Sequence, residues 1–294
     1  MKKIIYTFLG VLVFACGSDS ENNNNNDGNN NNNNPNGSEL LVSSISYNDM
    51  ENSDYEYVEN FTYDGNKIVE INRSVYYNGS LNSEDRTEFI YANNKISRVD
   101  YYYDNNNNNI SSQDIFTYDS QGRLVATEYC YNPNDGSCDD SESTTYSYNS
   151  DGSTTATYTY GDESETSVIE FDDNGNIVRV SDYDNVSELT YDNYNSPFKN
   201  ITGATPLVIA QWVFSGSYLY SFNNNCLSFV GDSDDEDGVA ADVLNFTYDY
   251  NDAGYPRNVV VEEVGFVFGQ ETIVIEYVDW FIWLWKNYSY SPFY

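Results

Sequence analysis

The sequence predicts an all-β fold, a long antiparallel meander of repeated hairpins that curls into a half-pipe or barrel-like sheet. Three observations predict it. One short phrase recurs along the chain: an aromatic residue, any residue, Tyr, Asp or Asn, a few turn residues, then aliphatics. The two rings stand two residues apart, which is the period of a strand with one buried face. The residues that follow are those that accept positive φ or hydrogen-bond their own backbone in tight turns.

The copies run in order. The first is Phe61-Thr62-Tyr63-Asp64-Gly65-Asn66-Lys67-Ile68-Val69, with Val69 and Ile71 expected on one side of the returning strand. Phe89-Ile90-Tyr91-Ala92-Asn93-Asn94 and Phe116-Thr117-Tyr118-Asp119-Ser120-Gln121-Gly122 come next. Tyr146-Ser147-Tyr148, Phe171-Asp172-Asp173-Asn174-Gly175, Leu189-Thr190-Tyr191-Asp192 and Phe246-Thr247-Tyr248-Asp249 complete the set. The anchors Tyr63, Tyr91, Tyr118, Tyr148, Phe171 and Tyr191 are 28, 27, 30, 23 and 20 residues apart. That spacing holds two strands and two turns, so the meander has roughly fourteen strands, and a twisted sheet of that width curls, splits or closes. Closure also removes exposed edges. A large amphipathic ring at each anchor fills the curled sheet and leaves its hydroxyl at the wet edge.

The repeat breaks between Tyr191 and Tyr248, an insertion placed at 195–240. Thr205–Val213 carries Pro206 and an apolar run, which reads as a short helix or plug near 203–215, since Pro suits the first turn of a helix. A plain strand is the alternative.

The segment 1–15 reads as a signal peptide. Lys2 and Lys3 precede an apolar run from Ile4 to Ala15, too short to span a bilayer, which needs about 20 residues. Val13-Phe14-Ala15-Cys16-Gly17 resembles the bacterial lipobox, in which the cysteine receives the lipid and several acyl chains form a stable anchor. Phe14 departs from the small residue usual there, and an ordinary secretory signal is the competing reading. Residues 16–38 continue as a polar tether, with twelve asparagines between Asn22 and Asn36. Such a tract buries nothing and serves as a spacer. The β-repeat domain then covers 39–278, and 279–294 is a tail in which half the residues are aromatic.

Forty-seven acidic residues against 12 basic give a net charge of −35. That charge repels nucleic acid and anionic headgroups, both of which call for clustered Lys and Arg. The chain has no histidine. It therefore lacks the commonest general base, the Ser-His-Asp and Cys-His nucleophile systems and the commonest metal ligand. Carboxylate pairs of the glycosidase kind are uninformative among so many acids. The reading is of a non-enzymatic chain without a cofactor. Cys130 and Cys138 flank a seven-residue turn segment, so they either form a disulfide across a hairpin mouth or stay as two thiols. Cys226 is expected as a small buried hydrophobe.

Three groups are candidate sites. Tyr101, Tyr102 and Tyr103 stand in a row, and a strand must turn one of them outward. With Trp280, Trp283 and Trp285 they could form an aromatic surface for a sugar ring, against the plainer reading of core packing. The tail itself reads as a closing strand, an exposed sticky surface or an altered reading frame. Asp232, Asp234 and Glu236 alternate as calcium ligands do. However, Asp237 stands where a loop of that kind needs Gly, and a solvated acidic loop is the simpler reading.

Tyr118-Asp119-Ser120-Gln121-Gly122-Arg123-Leu124 resembles the YD repeat of Rhs-type proteins. The chain from 40 to about 278 is more similar to a family of Bacteroidota lipoproteins whose repeat domain has been described as porin-like. In that family a Tyr-Asp segment followed by Asn-Ser-Pro-Phe-Lys-Asn-Ile introduces an insertion, as Tyr191-Asp192 and Asn195-Ser196-Pro197-Phe198-Lys199-Asn200-Ile201 do here. The resemblance brings no activity with it. It implies an outer-membrane lipoprotein, with the acidic stretch after Cys16 favouring the cell surface over the periplasmic face. Two functions are expected from the whole: a β-repeat scaffold that binds a glycan or an envelope protein, or a structural envelope component with no small ligand. An open aromatic-lined lumen discriminates the first from the second. The ligand, the closure of the sheet and the oligomeric state are not readable.

Overall fold

The fold is seen in a computed structural model, which describes residues 40–48, 54–103, 109–133, 138, 141–182, 185–204, 209–210, 223–231, 243–264 and 271–279. The predicted signal peptide, Cys16, the tether, the acidic loop with Asp232, Asp234 and Glu236, and the tail tryptophans Trp280, Trp283 and Trp285 lie outside them. Sixteen strands are present among the described residues, two more than the repeat spacing suggested. They are β1 (Leu40–Asn48), β2 (Tyr55–Asp64), β3 (Lys67–Tyr77), β4 (Ser80–Ala92), β5 (Lys95–Tyr102) and β6 (Ser112–Tyr118). Next come β7 (Leu124–Tyr131), β8 (Ser141–Tyr148), β9 (Thr154–Tyr160), β10 (Glu163–Phe171) and β11 (Ile177–Ser181). The series ends with β12 (Val186–Tyr191), β13 (Cys226–Val230), β14 (Val243–Tyr250), β15 (Pro256–Val264) and β16 (Glu271–Asp279). Every neighbour in sequence pairs antiparallel, and β1 pairs β16, so the meander closes into a barrel. Asp279 pairs with Leu40 and belongs to the closing strand rather than to the tail.

The alternation decides which side is the core. Phe61, Tyr63, Phe89, Val99, Tyr146, Ile169, Phe246, Val261 and Ile275 point inward and are buried together. Thr62, Asn60, Glu128, Thr190 and Glu188 point outward and are exposed. Exposed large apolar residues on the outer wall, such as Leu227, Val230 and Val274, are scattered. A lipid-facing wall would need a continuous apolar band of about 25 Å. Among the described residues the outer wall is mainly polar, and the apolar face of the sheet belongs to the lumen.

The returning strands other than β9 carry a β-bulge close to their start. Thr62 pairs Glu70 while Tyr63 pairs Ile68, which leaves Val69 as the extra residue. The same shift recurs at Tyr91, Tyr118, Phe171, Tyr191 and Tyr250. It corrects the simple alternation expected for β3: Ile68 and Ile71, not Val69, fill the core. A bulge adds one residue and so moves the face by one.

The anchor tyrosines owe their identity to these bulges. Tyr118 donates its hydroxyl to the Ile96 carbonyl at 2.6 Å, and Tyr148 to Leu124 at 2.9 Å. Tyr191 donates to Ile177, Tyr248 to Cys226 and Tyr277 to Pro256, each at 2.6 Å. In each case the acceptor is the residue just before the bulge of the preceding hairpin. The hydroxyl is therefore not left at a wet edge, as the sequence suggested, but latches one repeat to the next. A cation from the preceding hairpin tops several rings: Lys67 over Tyr91 at 5.3 Å, Lys95 over Tyr118 at 5.6 Å and Arg123 over Tyr148 at 4.3 Å. Tyr118→Phe keeps the packing and orphans the Ile96 carbonyl, so it is expected to cost about 1–3 kcal/mol in denaturant unfolding. A change within error would mean that the latch contributes nothing.

The turns follow from their side chains. Asp119 accepts from the amides of Gln121 and Arg123, both at 2.9 Å, and Asp172 does the same for Asn174 and Asn176. Gly122 and Gly175 supply φ of 82° and 80° at the position an L side chain resists. Asn93 and Asn94, at 53° and 60°, form the two-residue hairpin turn favoured by strand twist.

Candidate functional site

The two ends of the lumen differ. At the end with the Asp and Asn turns, the insertion after Tyr191 folds into the barrel. Phe198, Ile201 and Ala204 are buried with Ile209 and Ala210 in the barrel core. Ile209 and Ala210 have helical backbone, and the residues on either side of the pair lie outside the described ones. Thr202 donates its amide to Asn66 at 2.8 Å and accepts from Tyr91 at 3.2 Å. Asn200 bridges the Leu40 carbonyl at 2.8 Å and the Tyr255 hydroxyl at 2.9 Å. The insertion is thus a plug fastened to β1, to two hairpin turns and to the start of β15. Gly203 is pressed so close that a Cβ would lie 2.4 Å from the Asn94 carbonyl oxygen. Asp192 ties the base of the insertion, accepting from Asn225 and from the Tyr250 hydroxyl.

The opposite end is lined by tyrosines and carboxylates. Period two carries them there. Counting back along each incoming strand from its anchor ring in even steps gives Glu59 on β2, Asp85 on β4, Asp114 on β6, Glu142 on β8 and Glu165 on β10. The outgoing strands bring Arg73, Tyr129, Tyr158 and Tyr160 opposite these acids, as cross-strand pairs show, while Tyr101 and Tyr131 reach them through their hydroxyls. Arg73 pairs Glu59 and Asp85, Tyr129 pairs Asp114 and Glu142, and Tyr158 pairs Glu165.

The lining grades from buried to open. Glu59 is 1 % exposed, its Oε1 lies 3.9 Å from Arg73, and its Oε2 has no hydrogen-bond partner. Burial pushes its carboxyl up to about 8, against the opposing pull of Arg73. Tyr101 donates to Asp114 at 2.5 Å. Burial raises Asp114 to about 6, with that hydrogen bond opposing and Glu142 adding to the rise. Towards the rim, Tyr131 donates to Glu142 at 3.4 Å, and its ring meets Tyr129 edge-on at 4.5 Å. Tyr131 is 42 % and Tyr160 53 % exposed, so the mouth presents ring faces to solvent.

The structure separates the tyrosine row. Tyr101 points inward and is buried, Tyr103 lies at the mouth and is exposed, and Tyr102 turns to the outer wall. There the Arg86 guanidinium covers Tyr102 at 4.1 Å, and Glu88 accepts its hydroxyl at 3.1 Å. A shallow polar depression of about 380 Å³ beside it is lined by Asn60, Asn72, Ser74 and Glu84. Cys130 and Cys138 form a disulfide that closes the loop between β7 and β8. Cys226 is free and buried, its thiol pushed up to about 12 by desolvation. The sequence reading missed the inward carboxylates. The signal that finds them is their even offset from each anchor ring.

No family model matches the chain, and no curated protein does. Among solved structures the barrel is similar to a porin-like protein from Bacteroides uniformis, with a TM-score of 0.50 and 14% identity. That match covers 81% of this chain and 96% of the other. A porin-like protein from Bacteroides vulgatus scores 0.46 at 13% identity, over 82% and 99% of the two chains.

Proposed function

We propose that this chain is a non-enzymatic, glycan-binding lipoprotein of the outer membrane, held by Cys16 on its asparagine tether and of the lipoprotein family that its repeats resemble. The observation that supports the reading is the contrast between the two ends of the lumen among the described residues. The lumen is filled at one end and lined with accessible tyrosine rings and hydrogen-bonding carboxylates at the other. Flat rings stack on sugar rings, and carboxylates accept from sugar hydroxyls. A purely structural component would be expected to fill its lumen throughout. The polar outer wall argues that the barrel itself does not cross the bilayer, so attachment falls to the lipid. β1 starts and β16 ends at the plugged end. A tether entering there would hold the mouth away from the membrane.

Binding of an oligosaccharide panel by calorimetry tests the reading. Tyr131→Ala and Tyr160→Ala should each weaken binding several-fold; no binding across the panel would sink it in favour of a structural role or a protein partner. Attachment is tested separately. Cys16→Ala should abolish incorporation of a palmitate analogue. The domain from Glu39 onward should stay in the aqueous phase without detergent, both with and without the residues after Asp279. If detergent is needed in both forms, the barrel spans the membrane.

A further inference from the structure

The lumen mouth is built for one sign of charge. Of the twelve lysines and arginines, Lys2, Lys3 and Lys286 lie outside the described residues. Among the described ones, Arg73 alone faces the mouth half of the lumen. Arg86, Arg98, Arg179 and Arg257 belong to the outer wall, and Lys67, Lys95, Arg123 and Lys199 to the plugged end.

Arg73 shows how this wall holds a cation. Its guanidinium lies 4.8 Å over the Tyr57 ring, with the Glu59 carboxyl 3.9 Å away. The outer wall repeats the arrangement, with Arg86 over Tyr102 and 3.2 Å from Glu88. On the lumen wall of β5 to β10 a tyrosine hydroxyl donates to a carboxylate twice, Tyr101 to Asp114 and Tyr131 to Glu142, and of these two rings only that of Tyr131 is exposed. No lysine or arginine among the described residues faces that stretch. A second observation points to an occupant. Glu59 is buried to 1 % exposure and turned into the lumen, yet its Oε2 has no partner. A buried carboxyl oxygen left unpaired is costly, and a ligand hydroxyl would satisfy it.

We infer that the glycan received by this lumen carries ammonium groups, seated on the faces of Tyr131 and Tyr160 against Glu142 and Glu165, while a hydroxyl reaches Glu59. The inference rests on the glycan-binding reading and deepens it. A neutral sugar gains the stacking and hydroxyl-to-carboxylate hydrogen bonds, with no net charge of its own to be attracted. An ammonium adds cation–π attraction and makes those hydrogen bonds ion pairs with charge on both partners, and a uronate meets repulsion.

The test uses the full chain, purified in detergent, and three oligosaccharides of equal length titrated at neutral pH. One is a glucosamine oligomer with free amino groups, one its neutral N-acetylated counterpart and one a galacturonate oligomer. The cationic oligomer is expected to bind at least about tenfold more tightly than the neutral one, the gain from one charge-assisted contact, and the galacturonate most weakly. Glu142→Gln and Glu165→Gln should each shrink that preference, weakening the cationic oligomer several-fold more than the neutral one. Glu128→Gln, on the outer wall, should change neither. Two substituted sites guard against one variant failing to fold, which a melting curve reports. Equal binding of neutral and cationic oligomers would overturn the charge inference and leave the glycan reading standing. A cationic preference indifferent to Glu142 and Glu165 would assign it to the overall negative charge and overturn the inference as well. Binding of none of the three would overturn both.

Discussion

Phe198→Ala is expected to destabilise the barrel by about 3–5 kcal/mol, the cost of emptying a buried phenylalanine site. Phe198 is fully buried and lies 6.4 Å, ring to ring, from Phe61. Its neighbours in the plug are pinned by backbone hydrogen bonds to Asn66 and to Tyr91. The plug therefore cannot slump inward to fill the hole, and a poorly collapsing cavity sits at the costly end of the range. Denaturant titration reads the effect as a lower midpoint at unchanged slope. Phe198→Leu keeps most of the volume and should cost less than about 1.5 kcal/mol. A loss under about 1 kcal/mol for the alanine variant would show that the insertion does not pack in the lumen.

The second large effect is with pH. Glu59 and Asp114 both hold their protons more tightly in the folded chain than in the unfolded one, chiefly because burial disfavours the charge. For an acid whose folded pKa is raised, the stabilisation is complete below its ordinary value and is lost as pH rises towards the folded value. The window for Glu59 runs from its ordinary 4.5 to about 8, and for Asp114 from 3.8 to about 6. A tenfold tighter hold on a proton is equivalent to about 1.4 kcal/mol, so Glu59 alone removes on the order of a few kcal/mol across its window. The chain should unfold at a lower denaturant concentration in mildly alkaline than in mildly acidic buffer. Glu59→Gln, which cannot ionise, should flatten most of that slope. A stability that rises with pH through this range would contradict the buried, proton-holding carboxyl.

Much of this architecture was readable in advance, and the reasons are local. Phe61-Thr62-Tyr63 announces one buried face, and Asp119 with Gly122 announces a turn, because alternation and positive φ each act within a few residues. The all-β meander followed from that, and the expectation of a plug from the apolar run after Pro206 in the insertion. The extra residue in the bulged returning strands was not readable. Val69, Ser97 and Val125 look like ordinary strand residues, and only the partner strand reveals that they are unpaired. The choice of Tyr over Phe at the anchors had the same cause: the acceptor carbonyls of Ile96 and Leu124 lie more than twenty residues away in sequence. The inward acids were legible in principle. Glu59 falls in step with Tyr57, Phe61 and Tyr63, but a charged residue in a chain with 47 acids reads as solvated until its register is counted.

The seam between β1 and β16 sets an order of events. Ile45 faces Ile275 and Ser46 faces Val274 across it. These partners are separated by nearly the whole repeat domain, while the other strands each pair with their immediate neighbours in sequence. Local hairpins can form as soon as their two strands are available, but the ring cannot shut until its final strand arrives. Until then the free edges of β1 and of the growing sheet stay open to pairing with another chain, the hazard of any unpaired edge. Closure is thus a late, single step with a high loop-closure entropy. A chain lacking the residues from Glu271 onward would remain an open ribbon with two unpaired edges.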